Sequence, residues 1–151
     1  ARDSDPGTHA DVFVAWSTFL GRGLEIQIEA SGWYFDQARG DTGGAGLAFN
    51  LRWHGLHGSY GQAASDGYDW TLYADLGIGV IASGDDVPPE GSSFNLAPRV
   101  GVGFTARLGE SDRRLVAGVR WHHMSNARVN GDSNNPDFNA PMFYVGLEWP
   151  L

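Results

Sequence analysis

The feature that most constrains this chain is a two-residue alternation of apolar and polar residues, interrupted by clusters of Gly, Asp, Ser and Pro. Successive side chains of a β-strand point to opposite faces, so this alternation predicts strands with one apolar and one polar face. The segments lie near residues 10–19, 24–34, 44–53, 56–62, 68–82, 93–107, 115–125 and 139–149. The pattern therefore predicts an all-β protein with eight antiparallel strands.

No repeat, low-complexity tract or linker interrupts this pattern, so we expect a single domain over residues 1–151. Eight strands can close into an up-and-down barrel. Alternation alone does not say which face is outside. A soluble, lipocalin-like carrier with an apolar interior is therefore one alternative, and a transmembrane β-barrel with an apolar exterior is the other.

The polar face of the predicted strands favours the transmembrane β-barrel. It carries acidic and basic residues in similar number, namely Glu25, Glu29, Arg52, Asp75, Arg99, Arg107, Arg120 and Glu148. Glycines share this face at Gly77, Gly79, Gly101, Gly103 and Gly118. Paired charges and small residues suit a narrow polar interior better than a solvated exterior, so the apolar face is expected to contact lipid.

Aromatic residues near the strand ends support a membrane location. If the first strand runs outward, Tyr34, Trp70 and Trp149 fall near periplasmic ends, whereas Trp53 and Trp121 fall near outer ends. Two such groups resemble the aromatic belts of membrane barrels. No apolar run reaches the roughly 18 residues of a transmembrane helix. We therefore predict the outer membrane of a Gram-negative bacterium as the location.

Composition argues against a nucleic-acid partner, a metal and a cofactor. The formal net charge of -8 disfavours nucleic acid, which needs a clustered basic surface. Cysteine is absent, and His54 and His57 lack an evident third ligand, so we expect no metal and no cofactor. The first residues show no charged-then-apolar leader, so we expect that any secretory signal was removed or never existed.

The strand near 115–125 ends on the most chemically suggestive residues of the chain. His123 and Ser125 are two residues apart, which places both on the apolar face with Trp121. A hydroxyl and an imidazole on one face are the minimal arrangement of a nucleophile and its base. Because that face is expected to contact lipid, the pair indicates an ester hydrolase whose substrate is itself a lipid.

The residues after this pair supply the remaining roles. In a roughly symmetric hairpin, Asp137 and Asn139 return beside the pair on the same face, and either is a candidate to orient the imidazole. Asn126 is the candidate oxyanion donor, through its backbone N–H in particular because its side chain should point inward. Arg128 is expected to contact a lipid phosphate, and Trp121 to contact the substrate.

His123-Met124-Ser125-Asn126-Ala127, followed by Asn135-Pro136 and Asn139, resembles the PagL-type lipid A 3-O-deacylases. Gly77-Ile-Gly-Val-Ile, Pro88-Pro89, Ser93-Phe94-Asn95 and Gly101-Val-Gly103 extend the resemblance over roughly the second half of the chain.

The resemblance implies an eight-stranded outer-membrane barrel that removes an ester-linked acyl chain from the lipid A of lipopolysaccharide. It implies a histidine and a serine at His123 and Ser125, with Asn126 following the serine. Family members with a demonstrated triad carry Glu where this chain has Asn139. By position Asn139 therefore takes the third role, with Asp137 as the alternative that retains a carboxylate.

Three functions follow from this reasoning. The first is a lipid A 3-O-deacylase that acts on lipopolysaccharide in contact with outer-membrane lipid, with a homodimer as a possible assembly. The second is a non-catalytic or degenerate structural barrel, because Asn139 replaces the acid. The third is the soluble lipocalin-like carrier described above.

Overall fold

The computed structural model describes residues 8–59, 68–111, 113–126 and 138–149. The strands are β1 (Thr8–Gly21), β2 (Leu24–Asp36), β3 (Thr42–Gly58), β4 (Trp70–Val87), β5 (Ser92–Leu96), β6 (Arg99–Arg107), β7 (Arg114–Met124) and β8 (Phe138–Glu148). All of them belong to one antiparallel up-and-down sheet, which confirms the predicted all-β class and the predicted number of antiparallel strands. The described residues contain no helix with the length and apolarity that a membrane span requires.

The eight strands make seven passes across the sheet. The order is β1-β2-β3-β4-β6-β7-β8, and β5 pairs with β4 on the same side as β6. The predicted segment 44–53 and the start of the predicted segment 56–62 form one strand, β3, because the register shift between His54 and Leu56 accommodates Gly55 without a turn; residues 60–62 lie outside the described residues. The predicted segment 93–107 instead divides into β5 and β6 at Pro98, which cannot donate to a ladder.

The two ends of the sheet are named here after the ends of β1. The Thr8 end includes the β2–β3, β4–β5 and β7–β8 connections, and the Gly21 end includes the β1–β2, β3–β4 and β6–β7 connections. Tyr34 lies at the Thr8 end with Trp121, whereas Trp53 lies at the Gly21 end with Trp70 and Trp149.

The predicted grouping of these aromatic residues is therefore wrong. Tyr34 was expected beside Trp70 and Trp149, and Trp53 beside Trp121. Because 44–53 and 56–62 form the single strand β3, β4 and later strands run opposite to the predicted direction. Two groups of aromatic residues still exist, but each contains different members.

One face of the sheet is apolar and exposed, as the alternation predicts. Its most exposed large side chains lie on the first and last strands, where Val12 is 78% and Phe143 82% exposed. The opposite face encloses buried polar groups, which include Glu29, Asp75 and Arg120. The predicted polar interior is confirmed, and most of the large apolar side chains lie on the outer face.

Ion pairs organise the middle of this interior. The Arg120 guanidinium donates to Glu29 at 3.0 Å and to Asp75 at 3.1 Å, and Arg99 donates to Glu29 at 2.8 Å. Gly118 leaves room for a neighbouring ring, since a Cβ there would lie 2.6 Å from the Tyr144 hydroxyl oxygen. Glycine on the polar face thus admits the large side chains that fill the interior.

An apolar cluster closes the interior at the Thr8 end. Its buried members are Trp33, Phe35, Ile81, Val87, Ala97, Met124, Phe138 and Met142. Met124 and Phe138 are the last residue of β7 and the first of β8, and they are paired. The cluster thus supports from within the hairpin that carries the candidate catalytic residues.

The first and last strands form the two edges of the sheet. Both run from the Thr8 end to the Gly21 end, and no backbone pairing joins β1 to β8 among the described residues. Their inner side chains nevertheless meet, with ring centroids 5.3 Å apart for His9 and Phe138 and 6.3 Å apart for Phe13 and Tyr144. The edges therefore face each other across a seam.

Candidate active site

The outer face of β7 presents three polar or amphipathic residues near the Thr8 end. Trp121 is 50% exposed, and His123 and Ser125 are partly exposed. The alternate residues His122 and Met124 are buried in the interior. Strand alternation therefore directs the His and Ser side chains to the outer face, as the two-residue spacing predicts.

The backbone around this pair is fixed by the segment between β5 and β6. The His123 N–H donates to the Pro98 carbonyl oxygen at 3.0 Å. Ser125 exchanges two backbone hydrogen bonds with Leu96, with N to O distances of 3.1 and 2.8 Å. Sequence reasoning missed this contact, although Pro98 within an otherwise regular segment indicated an interruption there. The interruption lets Leu96 reach across to Ser125.

Asn139 lies directly opposite His123 in the β7–β8 ladder. The His123 Nδ1 atom and the Asn139 Oδ1 atom are 2.8 Å apart. A carbonyl oxygen only accepts, so Nδ1 carries the proton and donates it to this bond. The Nε2 atom of a neutral ring is then unprotonated and able to accept a proton.

The other predicted site residues divide into two groups. Asn126 is 4% exposed, in agreement with the inward direction expected for its side chain. Arg128 and Asp137 lie outside the described residues. The described part of the chain therefore brings together Trp121, His123, Ser125, Asn126 and Asn139.

Apolar groups surround the exposed part of the pair. Trp121 is flanked in the sheet by Val100 on β6 and by Pro141 on β8, and Val100 is 58% exposed. Phe94, which is 50% exposed, lies on β5 two residues before Leu96. An aliphatic chain can lie on these exposed apolar side chains while a polar group next to it reaches His123 and Ser125.

The described residues place three groups with complementary chemistry on or beside one face. They are a hydroxyl, an imidazole on the same face, and an amide that fixes the tautomer of that imidazole. Among residues 8–59, 68–111, 113–126 and 138–149, no three His, Asp or Glu residues converge as a metal site would require.

Comparison with known protein families gives one match. A family model described as "Lipid A 3-O-deacylase (PagL)" matches residues 10–148, which covers most of the chain. No curated protein and no solved structure matches the chain.

Proposed function

Because the chain belongs to the lipid A 3-O-deacylase (PagL) family, we propose that it hydrolyses the 3-O acyl ester of lipid A from the lipid-facing surface of an outer-membrane barrel. The observation that carries the proposal is the 2.8 Å contact between His123 and Asn139 on the face that also bears Ser125. The family supports the proposed substrate class, and the geometry supports the proposed roles of the residues.

The distribution of polarity supports a membrane barrel. Bilayer hydrocarbon provides no hydrogen-bond partners, so a lipid-facing surface should be apolar and charges should pair inside. The exposed apolar face and the ion pairs of Glu29, Asp75, Arg99 and Arg120 fit both requirements. We propose that the sheet closes around this interior and spans the outer membrane of a Gram-negative bacterium.

The position of the catalytic pair sets the orientation of this barrel. Lipopolysaccharide occupies the outer leaflet, so the Thr8 end, which carries His123 and Ser125, would be the extracellular end. β1 begins at that end and therefore runs inward, opposite to the direction assumed for the first strand in the sequence analysis. β8 then ends on the periplasmic side.

The proposed reaction begins with Ser125. Its Oγ attacks the ester carbonyl carbon while Nε2 of His123 takes the hydroxyl proton, and the imidazolium then protonates the departing sugar oxygen. This leaves an acyl-serine and lipid A with a free 3-hydroxyl. A water molecule, deprotonated by the same imidazole, releases the fatty acid and restores the serine.

The negative oxygen formed in each step needs a hydrogen-bond donor. The Ser125 N–H already donates to Leu96, so it is engaged elsewhere. Because Asn126 directly follows the proposed nucleophile, we propose that its backbone N–H helps to stabilise this oxygen, an effect that is worth about 3–4 kcal/mol for one donor in other hydrolases. Trp121 would contact an acyl chain, and Arg128 a lipid A phosphate.

Mass spectrometry of lipid A tests the proposal directly. Detergent-solubilised protein is incubated with lipid A that carries a 3-O hydroxyacyl ester, with Ser125→Ala in parallel. We expect the parent to remove one hydroxyacyl chain and the Ser125→Ala rate to fall by at least ~10⁴-fold, as for other serine hydrolases that lose their nucleophile. Ser93→Ala, an exposed serine on β5, is the matched control and should retain activity.

Asn139 favours one alternative function, a barrel that has lost catalysis. An amide can orient the imidazole but cannot neutralise the imidazolium. If the parent leaves this lipid A unchanged and Asn139→Glu acquires deacylase activity, the natural protein is a degenerate member of the family. If neither protein reacts, the assignment of Ser125 and His123 is wrong.

A further inference from the structure

The backbone of Ser125 is held by a strand outside its own hairpin. The proposed nucleophile lies one residue beyond the end of β7, which ends at Met124. Its N–H donates to the Leu96 carbonyl oxygen at 3.1 Å, and its carbonyl oxygen accepts from the Leu96 N–H at 2.8 Å. The backbone position of Ser125 therefore depends on where β5 places Leu96.

β5, the strand that carries Leu96, is short. It spans the five residues Ser92–Leu96 and pairs with β4 in a register that shifts between Ala82 and Val87. A short strand with an interrupted ladder has few backbone hydrogen bonds to hold its position. Contacts that tie β5 to the end of β4 therefore bear on where Ser125 lies.

Asn95 supplies such contacts from the interior, where its side chain is 2% exposed. The Asn95 Nδ2 atom donates to the Val87 carbonyl oxygen and to the Ser92 carbonyl oxygen, both at 2.8 Å. Val87 is the last residue of β4 and Ser92 is the first residue of β5. One amide thus joins the two ends of the connection between these strands, immediately before Leu96 in the chain.

We propose that Asn95 is a positioning residue for the hydrolysis: its amide fixes the β4–β5 connection, β5 fixes Leu96, and Leu96 fixes the backbone of Ser125. The inference rests on the proposed function, in which Ser125 is the nucleophile. Asn95 is buried in the interior, whereas Ser125 lies on the outer face, so Asn95 acts through the backbone and does not touch the substrate.

The chemistry of the amide explains why asparagine suits this position. Val87 and Ser92 are both buried, and each presents a carbonyl oxygen, which only accepts hydrogen bonds. An NH₂ group has two donors and satisfies both oxygens at once. Aspartate fills the same space, but its carboxylate has no donor and repels both oxygens. Alanine leaves both oxygens without this partner.

Steady-state kinetics of detergent-solubilised Asn95→Ala on lipid A test the proposal. We expect kcat to fall by about 10- to 100-fold while KM changes less than twofold, because a displaced nucleophile slows the reaction without altering binding on the outer face. Asn50→Ala is the matched control, since Asn50 is 1% exposed and bonds Glu29 on β2 and Arg99 on β6. It should keep its kcat per folded molecule. An unchanged kcat in Asn95→Ala, or an equal loss in both variants, would overturn the proposal.

A disulfide rescue separates positioning from a general loss of stability. Val87 and Ser92 are directly paired, which brings their Cα atoms within the range that a disulfide spans, and the chain has no cysteine of its own. Val87→Cys/Ser92→Cys is therefore combined with Asn95→Ala. Oxidation ties the same connection that the amide ties, so the oxidised protein should regain at least half of the parent kcat while the reduced protein stays slow. Equal rates in the two redox states would contradict the proposed role.

Asn95→Asp provides a second variant if Asn95→Ala does not fold. Its carboxylate cannot donate, but the protonated carboxyl has one O–H donor. We expect the ratio of its kcat to the parent kcat to rise as the pH is lowered. A ratio that stays constant across the acid range would show that donation from this side chain does not position Ser125.

Amide hydrogen exchange tests the positioning separately from catalysis. Without lipid A present, the N–H groups of Leu96 and Ser125 should exchange at least tenfold faster in Asn95→Ala than in the parent, with exchange in β3 unchanged. Unchanged exchange at both residues would overturn the inference even if the parent removes an acyl chain. A parent that leaves lipid A intact would overturn the proposed function instead, and faster exchange would then still support the hold of Asn95 on the Ser125 backbone.

Discussion

Both the interior and the outer face carry polar side chains, but the partners and surroundings of these side chains differ between the two regions. Inside, Arg120 is 1% exposed and contacts two carboxylates, Glu29 and Asp75. Outside, His123 and Ser125 lie among exposed apolar residues, and the hydrogen bond from His123 to Asn139 joins neutral groups. Charged groups in the interior pair with one another across strands, whereas the polar groups of His123 and Ser125 lie at the surface and are accessible from outside.

The largest effect expected from this difference follows removal of an interior charge. Arg120→Met deletes one guanidinium and removes its three hydrogen bonds, one to Glu29 and two to Asp75. Breaking a buried ion pair by removing one partner typically costs about 3–5 kcal/mol, because a charge stays buried without compensation. Urea unfolding in detergent or lipid should show a loss of this order, with activity per folded molecule retained.

Arg39→Met is the matched control for that variant. Arg39 contacts Glu90 at 2.6 Å, but the two side chains are 68% and 49% exposed. Exposed pairs contribute about 1 kcal/mol or less. If both variants were equally stable, the interior ion pairs would not hold the strands and the contrast between the two regions would fail.

An intermediate effect, on the deacylation rate, is expected from changing Asn139, because the side chain that contacts His123 there is an uncharged amide. Asn139→Asp keeps the side-chain length and adds a carboxylate that can neutralise the imidazolium formed during attack. We expect the deacylation rate to rise at least ~10-fold, against a fall with Asn139→Ala. Steady-state rates on lipid A, measured for the three proteins under one set of conditions, make the comparison.

The pH dependence of the rate distinguishes an effect of the added charge from an effect of changed packing. The gain in Asn139→Asp should disappear at low pH, where the new carboxyl is protonated and again resembles an amide. A gain that persisted across the acid range would mean that improved packing, rather than charge, raised the rate. A fall in rate would show that the hairpin is built for an amide at this position.

The presence of the strands, and the face on which each side chain lies, were predictable because both depend on local alternation alone. Glu29 and Arg120 were assigned to the interior from parity, and His123 and Ser125 to the outer face by the same rule. The direction of each strand was harder to predict, because it depends on whether a glycine lies in a turn or in a β-bulge. Gly55 lies in the gap between the predicted segments 44–53 and 56–62, and treating that gap as a turn reverses β4 and later strands and so misplaces Trp70, Trp121 and Trp149.

The candidate site was predictable only as far as one hairpin defines it. Asn139 was expected beside His123 because adjacent antiparallel strands bring such residues together. Leu96 and Pro98, which fix the backbone of Ser125 and His123, belong to another strand pair. Contacts between residues nearly thirty positions apart depend on the register of the whole sheet, which alternation does not determine.

The smallest effect is expected at Trp121, which lies on the outer face beside the proposed catalytic pair and touches no reacting atom in the proposed mechanism. Trp121→Ala should raise KM by about 3- to 10-fold with little change in kcat, because it removes binding that the ester and its transition state share. Trp53→Ala is the control, since Trp53 is similarly exposed, at 57% against 50%, but lies at the Gly21 end. A fall in kcat for Trp121→Ala would place this side chain closer to the reacting ester than a contact for the acyl chain. Equal effects of both variants would show that these tryptophans anchor the barrel in the lipid interface and take no part in substrate binding.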